Sequence, residues 1–375
     1  RIIEVGDVDE SRADSVIDLE GRSLASGFID PHSHNDWFAI KTEPLKYFEP
    51  FIRQGITTFV TGNCGLSAIG FDDDTPYKDK IGGGLFFFNG TTGKYGSIKE
   101  FNAAIDRNMP CNIATLVGHC SGYENRKLSA QEEEKMLGIL EDNLRDGAAG
   151  ISLGLMYEPG LYADTEELKK VVKLCCKYNK PLTVHPRAES KVSMSYDSLF
   201  GRSHLLRAED ELVEISKGTN LKLQHSHAIF VGRQSFGDKD EFVAIQNSLR
   251  ENGVDAMFDI YNETLGVSVI TVVLPVWYQG MSKEERKKPL NKLKLSVLIK
   301  ATSILLGFGF KDIQIAYIGP GYEKYEGKTV HEIAKENGKS DLDMYLQLCE
   351  ESDFKGRVNM GPYSTPEIIR EFEHN

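Results

Sequence analysis

No apolar run in this 375-residue chain reaches the roughly 18 residues that a bilayer crossing needs, so no membrane partner is expected. Basic residues are not in excess. The chain has 44 Lys and Arg against 56 Asp and Glu, a net charge of −12. Nucleic-acid binding needs clustered cations to neutralise phosphates, so that class is excluded. The mixed-sign run Lys283–Lys288 reads as a solvated helix face. No Gly-x-Gly-x-x-Gly follows an apolar strand and no Walker-type loop is present, which removes the main support for a nucleotide site. The start carries no signal-peptide pattern. It also lacks an initiator methionine and opens on Arg1-Ile2-Ile3-Glu4-Val5-Gly6, like a strand already under way, so a fragment of a longer chain is expected. Cysteine is sparse and dispersed: Cys64, Cys111, Cys120, Cys175, Cys176 and Cys349 form no disulfide framework. A reducing cytoplasm is the expected location. The sequons at Asn89 and Asn262 are then incidental.

From residue 26, short apolar runs alternate with longer helical patterns, the rhythm of repeated βα units. Strands are expected at Gly27–Asp30, Thr57–Thr61, Asn112–Val117, Gly150–Leu153, Pro181–Val184, Leu221–His225 and Asp255–Asp259, with Asp312–Ala316 as a possible eighth. Helices are expected at Pro44–Gln54, Ile98–Arg107, Ala130–Asp146, Thr165–Tyr178, Glu209–Ser216, Lys239–Asn252 and Leu290–Ala301. Ala130–Asp146 is the clearest: Ser129 and Glu132 form a capping-box pattern and Gly147 ends it. Seven or eight such units favour an α/β fold of the parallel TIM-barrel type over a doubly wound sheet. Residues 1–25 read as small strands and turns. Phe71–Tyr95, with Gly82–Gly84, reads as a lid or an irregular loop.

A parallel barrel places its active site at the C-terminal ends of the strands. Six of the nine histidines fall at such ends; only His204, His331 and His374 lie elsewhere. His32 and His34 follow the first strand two residues apart, so they share a face. Cys64 follows the second strand, His119 and Cys120 the third, His185 the fifth, and His225 and His227 the sixth. Imidazole and thiolate together suit Zn²⁺, and four to five such ligands hold one or two ions. His32, His34, Cys64, His185 and His227 are the expected metal ligands. His225 is expected deeper, as a satisfied core histidine. His119 reads as a hydrogen-bonding residue behind the ligands or as a substrate contact. Cys120 is expected to be structural, and Cys175 and Cys176 core-facing.

Read together, these segments resemble the N-acyl-D-amino-acid deacylases (D-aminoacylases) of the amidohydrolase superfamily. The blocks that carry the resemblance are Gly27–His34, Gln54–Thr58 leading to Gly62-Asn63-Cys64-Gly65, Val117-Gly118-His119, Gly147–Gly160, Val184–Glu189, Ser226-His227 and Asp259-Ile260-Tyr261. The resemblance implies a distorted (β/α)8 barrel over residues 26–375, with a small β-sandwich built from the chain ends, of which 1–25 would be one part. It implies Cys64 as the unusual cysteine ligand, and Tyr157 and Tyr261 as pocket residues. His119 and Arg187 join them as expected substrate contacts. The activity implied is hydrolysis of a C–N bond in a small molecule by a metal-activated water.

The sequence departs from that family pattern in three places. Ile229 stands where a lysine would help bind the substrate carboxylate. The segment after Tyr261 reads Asn262-Glu263 in place of Pro-Tyr, and Val267 replaces an expected serine. An anionic substrate group would therefore lose a cation and a donor, so N-acyl-D-amino acids are expected to be poor substrates. Finally, no residue matches the eighth-strand aspartate that serves as ligand and general base, which is expected beyond Asn375. The alternatives are a cyclic-amide hydrolase or deaminase on the same barrel, or a non-catalytic scaffold.

Overall fold

The computed structural model describes residues 3–71, 95–119, 127–157, 159–193, 195–196 and 201–373. Most of the Phe71–Tyr95 loop, with Gly82–Gly84 and Asn89, lies outside the described residues, as do Cys120, Glu158 and His374. The expected rhythm of parallel strands is present. β1 (Phe28–Asp30), β2 (Ile56–Thr61) and β3 (Asn112–Thr115) form one parallel sheet. β4 (Val117–Gly118), β5 (Ile151–Gly154), β6 (Pro181–His185), β7 (Lys222–His225) and β8 (Asp255–Phe258) form another. The single expected strand Asn112–Val117 is divided at Leu116, because the chain changes neighbour there. Leu116 donates its N–H to Thr61, whereas Val117 donates to Gly150. The two sheets thus run on as one curved parallel array, the wall of a distorted barrel. Among the described residues no ladder joins β8 to β1, and Phe28, Ile29 and Met257 are exposed on these edges.

Helices cover the outside. α1 (Leu45–Ile52), α2 (Ile98–Ile105), α3 (Ala130–Arg145), α4 (Thr165–Tyr178), α5 (His204–Ser216) and α6 (Lys239–Glu251) follow successive strands. α3 carries the expected capping box between Ser129 and Glu132. It lays Met136, Leu140 and Leu144 against Ile151, Leu153, Val172 and Leu182 in one large core. α5 begins at His204, five residues before the expected Glu209, because Leu205, Leu206 and Ala208 are themselves buried.

Two expectations need correction. The possible eighth barrel strand is β10 (Ile313–Tyr317), but it is antiparallel and belongs elsewhere. It pairs with β11 (Arg357–Met360), which pairs with β9 (Gly266–Val269). Ile313, Ile315, Val358 and Met360 face a second core with Val330, Ile333, Tyr345 and Leu348. A strand's partner is chosen by this tertiary packing more than by its local pattern. The chain then returns to the barrel through α7 (Pro366–Phe372), whose Phe372 stacks on Phe242 and packs beside Phe258. Residues 3–25, read as small strands and turns, contain no strand; they have a short 3-10 turn at Glu10–Arg12 and a turn at Glu20-Gly21. No partner strand lies alongside them among the described residues, so the ladder that would define a strand is missing. No described helix is long and apolar enough to cross a membrane.

Candidate metal centre

Strand register fixes the site. Gly154 lies opposite His185, Val184 opposite His225, and His225 opposite Phe258. The residues just beyond these pairs therefore meet at one rim. There His32, His34 and Cys64 bring one donor atom each within 4.8 Å of one another, and Cys64, His185 and His227 do the same. All five expected ligands are assembled, and Cys64 belongs to both groups.

The Cys64 thiol is held by its loop. Gly65 donates its N–H to Ser152 Oγ at 3.0 Å, and that hydroxyl in turn bonds the Gly62 carbonyl. Asn63 reaches back to the Val60 carbonyl at 3.2 Å. Cys64 itself sits at φ 57° and His227 at φ 37°, a left-handed region that non-glycine residues occupy at a cost of about 1–3 kcal/mol. Such strain at two neighbouring donors fits a site imposed by its surroundings. Gly154 lets β5 approach this loop. A Cβ there would collide with the Cys64 carbonyl oxygen and lie 2.6 Å from the Tyr157 ring. The Tyr157 hydroxyl donates to that same carbonyl at 2.5 Å.

Cys64 Sγ lies 3.3 Å from His32 Nε2 and 3.4 Å from His227 Nε2. His185 turns Nδ1 to within 2.9 Å of His227 Nε2. Donors around a tetrahedral ion with bonds of about 2.0–2.3 Å stand roughly 3.3–3.8 Å apart. The donor set therefore fits a borderline divalent ion without large movement.

Two carboxylates missed as site residues back the cluster. Both oxygens of Asp259 approach His32 Nδ1, at 3.1 and 3.3 Å. Asp259 also accepts the backbone N–H of His227 at 2.7 Å and the Gln224 side chain at 2.9 Å. Glu189 Oε1 stands 2.5 Å from His227 Nδ1. That pair is close but poorly aligned for a hydrogen bond, and neither atom has another partner among the described residues. Asp259 follows the seventh expected strand, so it does not stand in for an eighth-strand base. Its role toward His32 depends on contact across the open edge, which spacing does not reveal.

Burial opposes charge throughout the cluster, yet the neighbours win. Buried Cys64 is still pulled well below an ordinary thiol by His32 and His227. Despite its own burial, His32 is pushed up to about 10 by Cys64 and Asp259. Glu189 and Asp259, also buried, are held below the ordinary carboxylate range by their histidine partners. A thiolate with protonated imidazoles is the state in which a cation can displace the protons.

Not every expected contact joins this site. His119 Nε2 bonds Glu167 Oε1 of α4 at 2.8 Å, outside both donor groups. His225 is buried as expected, with Nε2 bonded to Glu209 at 2.8 Å, but it is only half satisfied, since its Nδ1 has no hydrogen-bond partner among the described residues. Arg187, expected to touch substrate, has four of its five N–H groups committed elsewhere. They go to Glu211 at 2.9 and 3.0 Å and to the carbonyls of Leu161 and Ala163. It ties the segment after β5 to α5. Arg187→Ala should therefore cost about 3–5 kcal/mol of stability, by breaking a buried ion pair, and leave metal stoichiometry unchanged. Denaturant unfolding alongside metal analysis checks both. Tyr261 lies 5.9 Å, ring to ring, from His227, and Tyr363 stacks behind it.

A curved parallel sheet thus carries histidines and a cysteine that converge at its rim. The amidohydrolase family profile matches residues 15–200. A D-aminoacylase of Alcaligenes xylosoxydans xylosoxydans is 25% identical over 357 residues, covering 93% of this chain and 62% of that protein. The N-acyl-D-glutamate deacylase of the same organism is 29% identical over 272 residues, covering 70% and 51% respectively. The chain thus spans between half and two thirds of these relatives' length. Among solved structures, the N-acyl-D-glutamate deacylase of Bordetella bronchiseptica, complexed with zinc and a phosphonate inhibitor, has the same fold. It superposes with TM-score 0.68 at 23% identity, over 93% of this chain and 63% of that one. A D-aminoacylase crystal structure gives 0.64 at 23% identity, over 92% and 62%. Over residues 15–200 the chain matches the amidohydrolase family, and over most of its length it resembles the D-aminoacylases.

Proposed function

We propose that the chain carries the metal centre of a hydrolase acting on a C–N bond of a small molecule, with zinc as the ion. The observation that carries this reading is the pair of donor groups sharing Cys64, with His32 and His34 on one side and His185 and His227 on the other. A bound ion of this kind polarises a carbonyl and makes a nearby water more acidic. The protein's own groups do the rest. Glu189 and Asp259 keep negative charge beside the histidines. Tyr261 stays protonated, because burial pushes its hydroxyl up to about 12. It is therefore a donor suited to an oxyanion that develops near His227. Tyr157 is the weaker candidate, since its hydroxyl already serves the Cys64 carbonyl. A reduced Cys64 is required, and the five described cysteines are all free, which supports a reducing cytoplasm.

The substrate differs from that of the named relatives in this reading. Ile229 is buried in the second core, while Glu263 and Val267 are exposed. None of the three supplies a cation for a carboxylate. Zinc-loaded protein, assayed on N-acyl-D-amino acids and on the corresponding amides without the carboxylate, should prefer the latter. Tyr261→Phe should lower kcat by about 10²-fold or more with little change in KM. Equal turnover by Tyr261→Phe removes that residue's role. Hydrolysis of neither class by the zinc-loaded natural full-length protein counts against the hydrolase reading.

A further inference from the structure

His32 and His227 are oriented alike although they come from opposite ends of the array. Each turns Nε2 toward Cys64 Sγ, at 3.3 and 3.4 Å, and each turns Nδ1 toward a buried carboxylate. For His32 the carboxylate is Asp259; for His227 it is Glu189. We propose that Asp259 and Glu189 are positioning residues that fix the ring tautomer of these two histidines, so that Nε2 is the atom offered to a metal. The proposal rests on the metal-centre reading above.

A carboxylate has only acceptors, so the ring nitrogen facing it must carry the proton and the other is left to coordinate. Outer partners of this kind orient metal-bound histidines and raise their basicity. Asp259 has a second effect. Its Oδ1 receives the His227 N–H, and its Oδ2 receives Gln224. It therefore links the end of β7 to His32, which follows β1, across the edge where β8 and β1 form no ladder. Asp259→Asn preserves shape but reverses the chemistry. With Oδ1 kept on the His227 N–H, the new amide N–H₂ faces His32 Nδ1. The ring then favours a proton on Nε2, which blocks coordination. Glu189→Gln does the same to His227.

The test uses the whole chain loaded with zinc, or with cobalt as a spectroscopic probe. Zinc affinity is read by competition with a chromogenic chelator, and each variant should weaken it roughly 10–100-fold. Cobalt-loaded wild type should show an exchangeable, paramagnetically shifted ring N–H proton from each of the two histidines. Asp259→Asn should lose one and Glu189→Gln the other, a selective loss that general loosening of the fold would not produce. Retention of both signals with wild-type zinc affinity overturns the proposal. Wild type that binds no metal sinks the metal-centre reading and this proposal with it, a result distinct from the first. Should Asp259→Asn not fold, Asp259→Glu keeps the charge, displaced by one methylene. Weaker zinc binding in that variant supports the proposal, and unchanged binding overturns it.

Discussion

Cys64→Ala will strip the chain of metal. Cys64 is the one donor common to both groups, so its loss leaves two histidines on each side. Two neutral imidazoles hold a borderline ion far less well than two imidazoles and a thiolate, which also supplies negative charge. The loss in zinc affinity should exceed the roughly 10–100-fold that follows removal of an outer partner. Stability should not fall in proportion. The thiol is small, and in the metal-free protein its charge is held in a buried cluster whose desolvation offsets much of the attraction. Cys111→Ala is the matched control: that thiol lies on the far end of β3's approach, outside both donor groups, and should leave metal content unchanged. Elemental analysis of both variants decides the matter. Equal metal in Cys64→Ala and wild type would mean that the sulfur is packing rather than coordination.

Gly154→Ala should damage the same site without touching a ligand. The added methyl has no room between the Cys64 carbonyl and the Tyr157 ring. One of them must move, which costs about 1–3 kcal/mol as overpacking. The Cys64 loop is also pinned by Ser152 through Gly65 and Gly62, so it cannot retreat freely. Displacement of Cys64 then separates the two donor groups. Chemical denaturation should show lower stability, and zinc titration should show weaker binding in the same variant. Lower stability with unchanged zinc affinity would show that Tyr157 yields instead, and that the approach of β5 does not set the thiol's position.

Much of this centre was legible in the sequence because a parallel barrel converts strand ends into one rim. His32, His34, His185 and His227 each follow an apolar strand or end one, and the first two do converge on Cys64, although they lie beyond β1, which ends at Asp30, so strand alternation is not what brings them together. Cys64 was legible only through its company: a lone cysteine after a strand is more often packing, and the histidines at the neighbouring strand ends made it a ligand candidate. The carboxylates were not legible. Glu189 lies four residues after His185, yet its close contact is with His227 of the next strand. Asp259 serves His32, more than two hundred residues earlier. Such pairs depend on side-chain direction across the array, which spacing along the chain does not encode. The same gap explains His119 and Arg187. Both stand at strand ends, but His119 gives its Nε2 to Glu167, and Arg187 is committed to Glu211 and two carbonyls. The strand Ile313–Tyr317 shows the parallel limit for the fold: its apolar pattern announced a strand, while its antiparallel partners were set by a second core.

The most direct measurement is titration of the metal-free wild-type chain with cobalt, followed by absorption spectroscopy. The account predicts saturation at one or two ions per chain, as the two donor groups allow. A thiolate-to-cobalt charge-transfer band should rise with the first ion and be absent in Cys64→Ala. A folded chain that takes up no cobalt, or takes it up with no thiolate band, would contradict a metal centre built on Cys64.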